Sequence, residues 1–146
     1  MKLWLLYGIF ASLCWGSYII ISKVVTSQSY LGIDPSITSL FMLIGIAVAF
    51  LLNLVFEKTF YIPESKLAIG LGILSGAIWA LGMISSLKAL KSGADVARLA
   101  PIYNTNTLVS VILAIILLKE LPSSGEMFKV VLGALLIVIG SILVGG

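Results

Sequence analysis

The sequence predicts an all-α membrane protein that crosses the bilayer five times. Five stretches without a charged residue divide the 146-residue chain, and each is long enough, or nearly so, to span a bilayer core of about 30 Å as a helix. The composition agrees, because 60% of the residues are hydrophobic, 10% are charged and the mean hydropathy is +1.20. We expect one membrane domain over residues 1–146. The five stretches are residues 3–22, 35–56, 67–87, 99–118 and 130–146.

The first stretch begins after Met1 and Lys2 with a run that is also typical of a signal peptide. It continues unbroken to Ser22 and lacks a convincing small-residue cleavage site, so we interpret it as the first membrane helix. Spacings of three and four place small and aromatic side chains on one stripe of this helix, which faces protein or a cavity better than lipid. The stripe consists of Trp4, Gly8, Ala11, Trp15, Tyr18 and Ser22.

Polar breaks of about ten residues separate the stretches, so neighbouring helices are expected to be antiparallel. Residues 34–36, Asp-Pro-Ser, predict the start of the second helix, because Asp is an acceptor for the first turn and Pro is tolerated there. Residues 122–126 predict the start of the fifth helix in the same way. The amide of Asn53 within the second stretch indicates a hydrogen bond between helices.

The third stretch repeats the stripe of small and aromatic residues and contains the pair Gly72-x-x-x-Gly76. Small residues let helices approach closely in lipid, so close packing is one interpretation of the glycines. Lining of a cavity is the other, and we prefer it for Trp79 as for Trp15 and Tyr18, which lie away from the interfaces. The stripe consists of Gly72, Ser75, Trp79, Gly82 and Ser86.

The fourth stretch is the most polar, and its polar residues fall on two opposite faces of a helix. Amides within hydrocarbon need hydrogen-bond partners, so one face would bind solute or water and the other would hold helices together. Pro101 indicates either a bend or a position in the first turn. One face carries Tyr103, Asn106, Thr107 and Ser110, and the other carries Pro101, Asn104 and Thr105. We favour Tyr103, Asn106 and Thr107 as the residues that face a solute.

The positive charges are almost equally divided between the two membrane faces. The side of the N-terminus has five Lys and the other side has three Lys and one Arg, so the positive-inside rule gives almost no preferred orientation. The net charge of +3 comes from the ends of the apolar stretches and does not indicate binding to nucleic acid. Four charged residues, Lys88, Lys91, Asp95 and Arg98, form a cationic edge that either attracts anionic solutes or reaches headgroups.

The chain lacks the residues of common catalytic and metal sites. It has no His and a single Cys, Cys14, which excludes a zinc site, a Ser-His or Cys-His pair and an intrachain disulfide. All six acidic residues lie outside the uncharged stretches, so two carboxylates cannot act together deep in the membrane. We therefore expect no enzyme, no metal and no cofactor.

Several short motifs, taken in order and spacing, resemble the EamA domain of the drug/metabolite transporter superfamily. The resemblance covers almost the whole chain, and the succession of motifs is more specific than any one of them. The motifs are Trp15-Gly16-Ser17-Tyr18 followed by Lys23, then Lys88-Ala89-Leu90, Leu99-Ala100-Pro101, Leu117-Leu118-Lys119-Glu120-Leu121, and Gly133-Ala134-Leu135-Leu136-Ile137-Val138-Ile139-Gly140.

The resemblance implies a solute carrier with a central cavity lined mainly by the first four helices. Typical members have ten helices in two inverted repeats, and this sequence is similar to one repeat. By matching positions, the residues near the cavity would be Trp15, Tyr18, Trp79, Tyr103, Asn106 and Thr107. The related four-helix multidrug exporters have a membrane-embedded Glu in the first helix, which is missing here. Proton-coupled export of cationic drugs by that route is therefore not expected.

We predict a transporter of a small metabolite or drug-like solute, working by alternating access in the plasma (inner) membrane. Five spans put the two termini on opposite sides, and a single repeat can reproduce an inverted pair only with an oppositely inserted copy. We thus expect an antiparallel homodimer with dual topology and a neutral, zwitterionic or aromatic solute. The alternatives are a non-transporting subunit packed against a larger integral partner, and a membrane enzyme or lipid-handling protein.

Overall fold

A computed structural model describes residues 3–58, 61–120 and 124–145, and the regular elements within these ranges are all helical. Five helical segments are long and apolar enough to cross a membrane, the fourth running from Val96 to Leu118. The predicted all-α fold with five spans is confirmed. The helices are α1 (Leu3–Thr26), α2 (Pro35–Glu57), α3 (Lys66–Lys91), α4 (Val96–Tyr103), α5 (Asn106–Leu113) and α6 (Ser124–Gly145), and a π-helical turn (Ala114–Leu118) follows α5.

The helices are longer than the uncharged stretches that predicted them. Helix α1 continues past Lys23 to Thr26, and α3 continues past Lys88 to Lys91. A lysine can lie along a helix while its ammonium group reaches the headgroups, so the first charge marks the edge of the hydrocarbon and not the end of the helix.

The chain forms two compact units, one ending at Gly93 and the other beginning at Ala94. In the first unit α1 contacts α2 and α3, and α2 contacts α3. Its best-buried apolar side chains are Ile19 at 2% exposure and Leu87 and Leu90 at 0%. The core of this unit therefore lies where α1 and α3 end.

The loop between α1 and α2 folds back onto the last turn of α1. The N–H of Leu31 donates to Val24 O at 3.1 Å, and the N–H of Ile33 donates to Val25 O at 2.9 Å. Gly32 has φ +66° in this loop, a left-handed conformation that favours glycine. The loop thus has a defined backbone that leads directly into α2.

The start of α2 confirms the prediction from residues 34–36. Asp34 is the N-cap and its Oδ1 accepts from the N–H of Ser36 at 2.8 Å, while Pro35 takes the first helical position. Of the corresponding residues 122–126, Pro122 and Ser123 lie outside the described residues, and α6 begins at Ser124.

In the second unit both α4 and α5 contact α6. Arg98 Nε donates to Val144 O at 3.2 Å, so the first turn of α4 lies beside the last turn of α6 and the two helices are antiparallel. Val144 is within the last turn of α6, whose carbonyls have no partner inside the helix, and the Arg98 side chain satisfies one of them. The expectation that residues 1–146 form one membrane domain stays a prediction.

Candidate functional site

Tyr18 is a predicted site residue whose hydroxyl oxygen is buried without a hydrogen-bond partner among the described residues. The Oγ atom of Ser86 in α3 is buried in the same way. An unsatisfied buried hydroxyl costs about 1–3 kcal/mol, so both groups favour a polar partner, which a solute or a water molecule would supply. Sequence reasoning placed Ser86 on the stripe of α3 but did not assign it to the site.

The aromatic residues on the stripes of α1 and α3 are largely exposed. Trp15 is 64% exposed and Trp79 is 45% exposed, whereas Ser22 at the end of the α1 stripe is 4% exposed. The α1 stripe is therefore most buried toward its C-terminal end. The two tryptophans present their rings to the outside of this chain, where lipid, solute or another protein would meet them.

The glycines of the two stripes do not pack closely within the chain. A Cβ atom added at Gly8, Gly72, Gly76 or Gly82 would meet no atom within 4 Å among the described residues. The close packing considered for Gly72-x-x-x-Gly76 is thus not made within the described part of the chain, and the fully buried side chains of α3, Leu87 and Leu90, lie toward its other end. Asn53 is exposed in α2 and has no hydrogen bond in the described part of the chain, so the expected interhelical bond is not formed either.

The fourth span is broken between α4 and α5 at Asn104 and Thr105. Pro101 lies inside α4 and has no N–H to donate, and the N–H of Thr105 donates to Ile102 O at 3.2 Å, one residue short of the α-helical partner. The carbonyl of Pro101 is therefore not used by Thr105. Pro101 is the sixth residue of α4, so it does not lie in the first turn, and its missing N–H leaves Ala97 O without its α-helical donor. The interpretation of Pro101 as a bend stays a prediction.

The carbonyl freed at Pro101 is satisfied by α6. Ser141 Oγ lies 2.6 Å from Pro101 O and 2.8 Å from Ile137 O, so its single hydroxyl proton is shared between the two acceptors. Ser141 is 6% exposed. A serine of the last membrane helix thus replaces a backbone hydrogen bond that the broken helix has lost.

Three predicted site residues flank the break. Tyr103 is the last residue of α4 and is half-buried, while Asn106 and Thr107 are exposed in the first turn of α5. Thr107 Oγ1 donates to Asn106 Oδ1 at 3.5 Å, which is a weak contact. The backbone of Asn104 and Thr105 does not continue the α-helical ladder, so the two faces reckoned at 100° per residue stay a prediction across the break.

The other three predicted residues belong to the first unit, with Trp15 and Tyr18 on α1 and Trp79 on α3. The structure thus brings Tyr103, Asn106 and Thr107 together around one break, and Trp15 and Tyr18 onto adjacent turns of one helix. The assignment of all six residues to one solute site stays a prediction.

Two members of the cationic edge donate side-chain hydrogen bonds to backbone carbonyls distant in the sequence. Lys91 Nζ donates to Gly32 O at 2.5 Å and Arg98 donates to Val144 O, whereas the exposed Lys88 has no hydrogen bond or ion pair within the described residues. No group of His, Cys, Asp or Glu that could hold a metal ion occurs in residues 3–58, 61–120 and 124–145.

Comparison with protein-family models matches the EamA-like transporter family over residues 2–146. Comparison with curated proteins and with solved structures gave no significant match. Members of the matched family are transporters and not enzymes, and the five apolar spans agree with that class. The resemblance inferred from the sequence motifs is confirmed, and the chain belongs to the EamA-like transporter family as a multi-pass integral membrane protein of the drug/metabolite transporter type.

Proposed function

We propose that the protein carries a small neutral, zwitterionic or aromatic solute across the plasma (inner) membrane by alternating access, as an antiparallel homodimer. The solute site would consist of six residues, and residues 1–146 would form a single membrane domain. The observation that carries the proposal is the break in the fourth span. The six site residues are Trp15, Tyr18, Trp79, Tyr103, Asn106 and Thr107.

The position of the break suits a solute site. Asn104 and Thr105 lie about 4 Å along the axis from the midpoint of the span Val96–Leu118, at the 1.5 Å rise of a helix. Transporters commonly bind substrates near the midplane, where interrupted helices expose backbone and side-chain polar groups. The exposed amide of Asn106 would supply both a donor and an acceptor there.

The chemistry of the six residues favours a solute without net charge. They offer four aromatic rings with polar edges, from two Trp and two Tyr, together with an amide and an alcohol, and no Lys, Arg, Asp or Glu is among them. An ionic solute would need a charged partner near the midplane, because an unpaired charge in the membrane is costly.

The pairing with an inverted second copy is supported by charge and by the exposed stripes. The two membrane faces have nearly equal numbers of positively charged residues, which suits insertion in both orientations. An added Cβ at Gly72 or Gly76 would meet no described residue within 4 Å, so these glycines would let a helix of the partner approach α3 closely. The same exposed glycines would also allow packing against a larger integral partner. The second candidate function is therefore that of a non-transporting subunit of such a partner.

Solute flux into proteoliposomes tests the site. We expect the double variant Tyr103→Ala, Asn106→Ala to lose flux, whereas Asn53→Ala, which removes an exposed amide in α2, should keep the rate of the unmodified protein. Equal elution volumes in gel filtration would show that both variants are folded. Unchanged kinetics in the double variant would remove the proposed site. An unmodified protein without flux for any solute of a broad panel would favour the non-transporting subunit.

A further inference from the structure

A cavity of about 300 Å³ lies in the first unit, where α2 begins and α3 ends. The last turn of α1 reaches the same end of this unit, because the loop after Thr26 folds back on it. These are the ends of membrane spans, so the cavity lies at the level of the lipid headgroups. Its lining residues are Asp34, Pro35, Ser36, Lys88, Lys91 and Ser92.

The cavity is held together by a bond between distant parts of the sequence. Lys91 Nζ donates to Gly32 O, which ties the last residue of α3 to the loop that leads into α2. An ammonium group has three donors, so two donors of Lys91 are left after this bond. The backbone of the loop is fixed by its own hydrogen bonds to Val24 and Val25.

The lining carries a net charge of +1 from two lysines and one carboxylate. Hydrogen bonds from the N–H and the hydroxyl of Ser36, together with the positive charge of Lys91, hold the pKa of Asp34 below its usual value. Asp34 is therefore ionised at neutral pH, and its acceptor capacity is directed to the start of its own helix. Lys88 has no partner among the described residues, which leaves its ammonium group available.

We propose that this cavity binds the phosphodiester group of an anionic membrane phospholipid. A phosphodiester carries one negative charge, which neutralises the lining, and it accepts charge-assisted hydrogen bonds from Lys88 and from the remaining donors of Lys91. A soluble phosphate ester would offer similar chemistry. The lipid is favoured because the cavity adjoins the ends of apolar spans, where its acyl chains would lie along exposed helix faces.

Native mass spectrometry of the full chain in detergent, titrated with phosphatidylglycerol, measures this binding. We expect the apparent affinity to fall about fivefold in Lys88→Gln, which is the contribution of one lysine near an anionic lipid surface to lipid binding. The affinity should change less than about twofold in Lys66→Gln. Lys66 is the matched control, because it is an exposed lysine at the opposite end of the same helix. Equal losses in both variants would overturn the proposal in favour of general attraction to lysines.

Two competing ligands separate the sources of the phosphate. Phosphatidylcholine, which has the same phosphodiester but no net charge, should bind more weakly than phosphatidylglycerol, and equal binding would contradict recognition of the net charge. Glycerol 3-phosphate should not displace phosphatidylglycerol at equal concentration, and displacement would assign the cavity to a soluble phosphate ester.

A second variant, which should raise the affinity for phosphatidylglycerol, tests the proposal even if Lys88→Gln does not fold. Asp34→Asn keeps a helix-capping acceptor but raises the net charge of the lining from +1 to +2. We expect its affinity for phosphatidylglycerol to rise about fivefold. An unchanged or lower affinity in a folded Asp34→Asn protein would overturn the proposal.

Discussion

The two units of this protein satisfy their backbone hydrogen bonds in different ways. In the first unit α1, α2 and α3 are continuous over 24, 23 and 26 residues, and its side chains act at helix ends, as Asp34 and Lys91 do. In the second unit the fourth span is interrupted near its middle, and Ser141 of α6 bonds to the carbonyl that the interruption frees. The first unit is thus regular within the membrane and the second is not.

This difference indicates where a membrane span can be interrupted to form a solute site. A break inside hydrocarbon is tolerated only where protein groups satisfy the freed backbone, and α6 provides such a group. The same break exposes Asn106 and Thr107 near the middle of a span. In the function proposed above, solute binding would depend mainly on the second unit, and the aromatic side chains of the first unit would support it.

Replacing Pro101 with Ala would make the second unit resemble the first. Alanine restores an N–H, and a proline in a helix interior costs about 3 kcal/mol relative to alanine. We expect the free energy of unfolding in detergent micelles to rise, by at most about 3 kcal/mol, because the rest of the break would relax only in part. Solute flux should fall, since a straighter helix presents Asn106 differently.

The matched control is Pro35→Ala at the first position of α2, where a proline costs no hydrogen bond. This variant should be slightly less stable than the unmodified protein, because Pro35 is buried and suits the helix start. A Pro101→Ala protein that is destabilised to the same degree, or that keeps full flux, would contradict the role given to the break.

Replacing Gly32 with Ala tests the loop that supports the first unit. The left-handed φ of +66° costs a residue with a Cβ roughly 1–2 kcal/mol. The new Cβ would also lie 3.1 Å from Gln28 Oε1, a flexible side-chain end that is able to move. We expect the free energy of unfolding to fall by about 1–2 kcal/mol, as measured by denaturation in micelles.

Gly45→Ala is the control for this variant, because Gly45 lies in α2 and an added Cβ would meet no atom within 4 Å. Alanine favours a helix over glycine by up to about 1 kcal/mol, so this control should be stabilised. If both variants shifted stability in the same direction, the backbone of Gly32 would not be the cause.

Replacing Ser141 with Ala removes the hydroxyl that bonds to Pro101 O. Hydrogen bonds between membrane helices contribute about 0.6 kcal/mol on average and at most about 1.7, and we expect a loss toward the upper value because an acceptor is left unsatisfied. Ser75→Ala is the control, since Ser75 Oγ donates only to Gly72 O of its own exposed helix face. Similar losses for both serines would argue against a special role for the α4–α6 bond.

The smallest expected effect is the pH dependence contributed by Asp34. Its pKa is lowered in the folded protein, first by the bond from the Ser36 N–H, below the ordinary value of 3.8. The contribution to stability is therefore complete above that value and is lost as the pH falls through the lower folded pKa. Thermal unfolding scans at decreasing pH should show a steeper loss for the unmodified protein than for Asp34→Asn. Identical pH dependence of unfolding in the two proteins would contradict the contribution assigned to Asp34.

The sequence predicted the features that depend on local chemistry. Runs of uncharged residues located all five spans, and Asp34 with Pro35 located the start of α2, because hydropathy and capping act over a few residues. The break at Asn104 and Thr105 was not predicted, since it depends on a shift of the hydrogen-bond ladder by one residue. The bonds of Lys91 to Gly32 and of Ser141 to Pro101 join residues 59 and 40 positions apart, and no local pattern indicates them.

The membrane orientation of the C-terminus tests the antiparallel homodimer most directly. Paired reporters would be fused after Gly146, one active only in the cytoplasm and the other only outside it. We expect both reporters to be active, because an antiparallel homodimer requires the chain to insert in both orientations. Activity of only one reporter would contradict the antiparallel homodimer, and the protein would then form a parallel assembly or depend on a separate partner of opposite orientation.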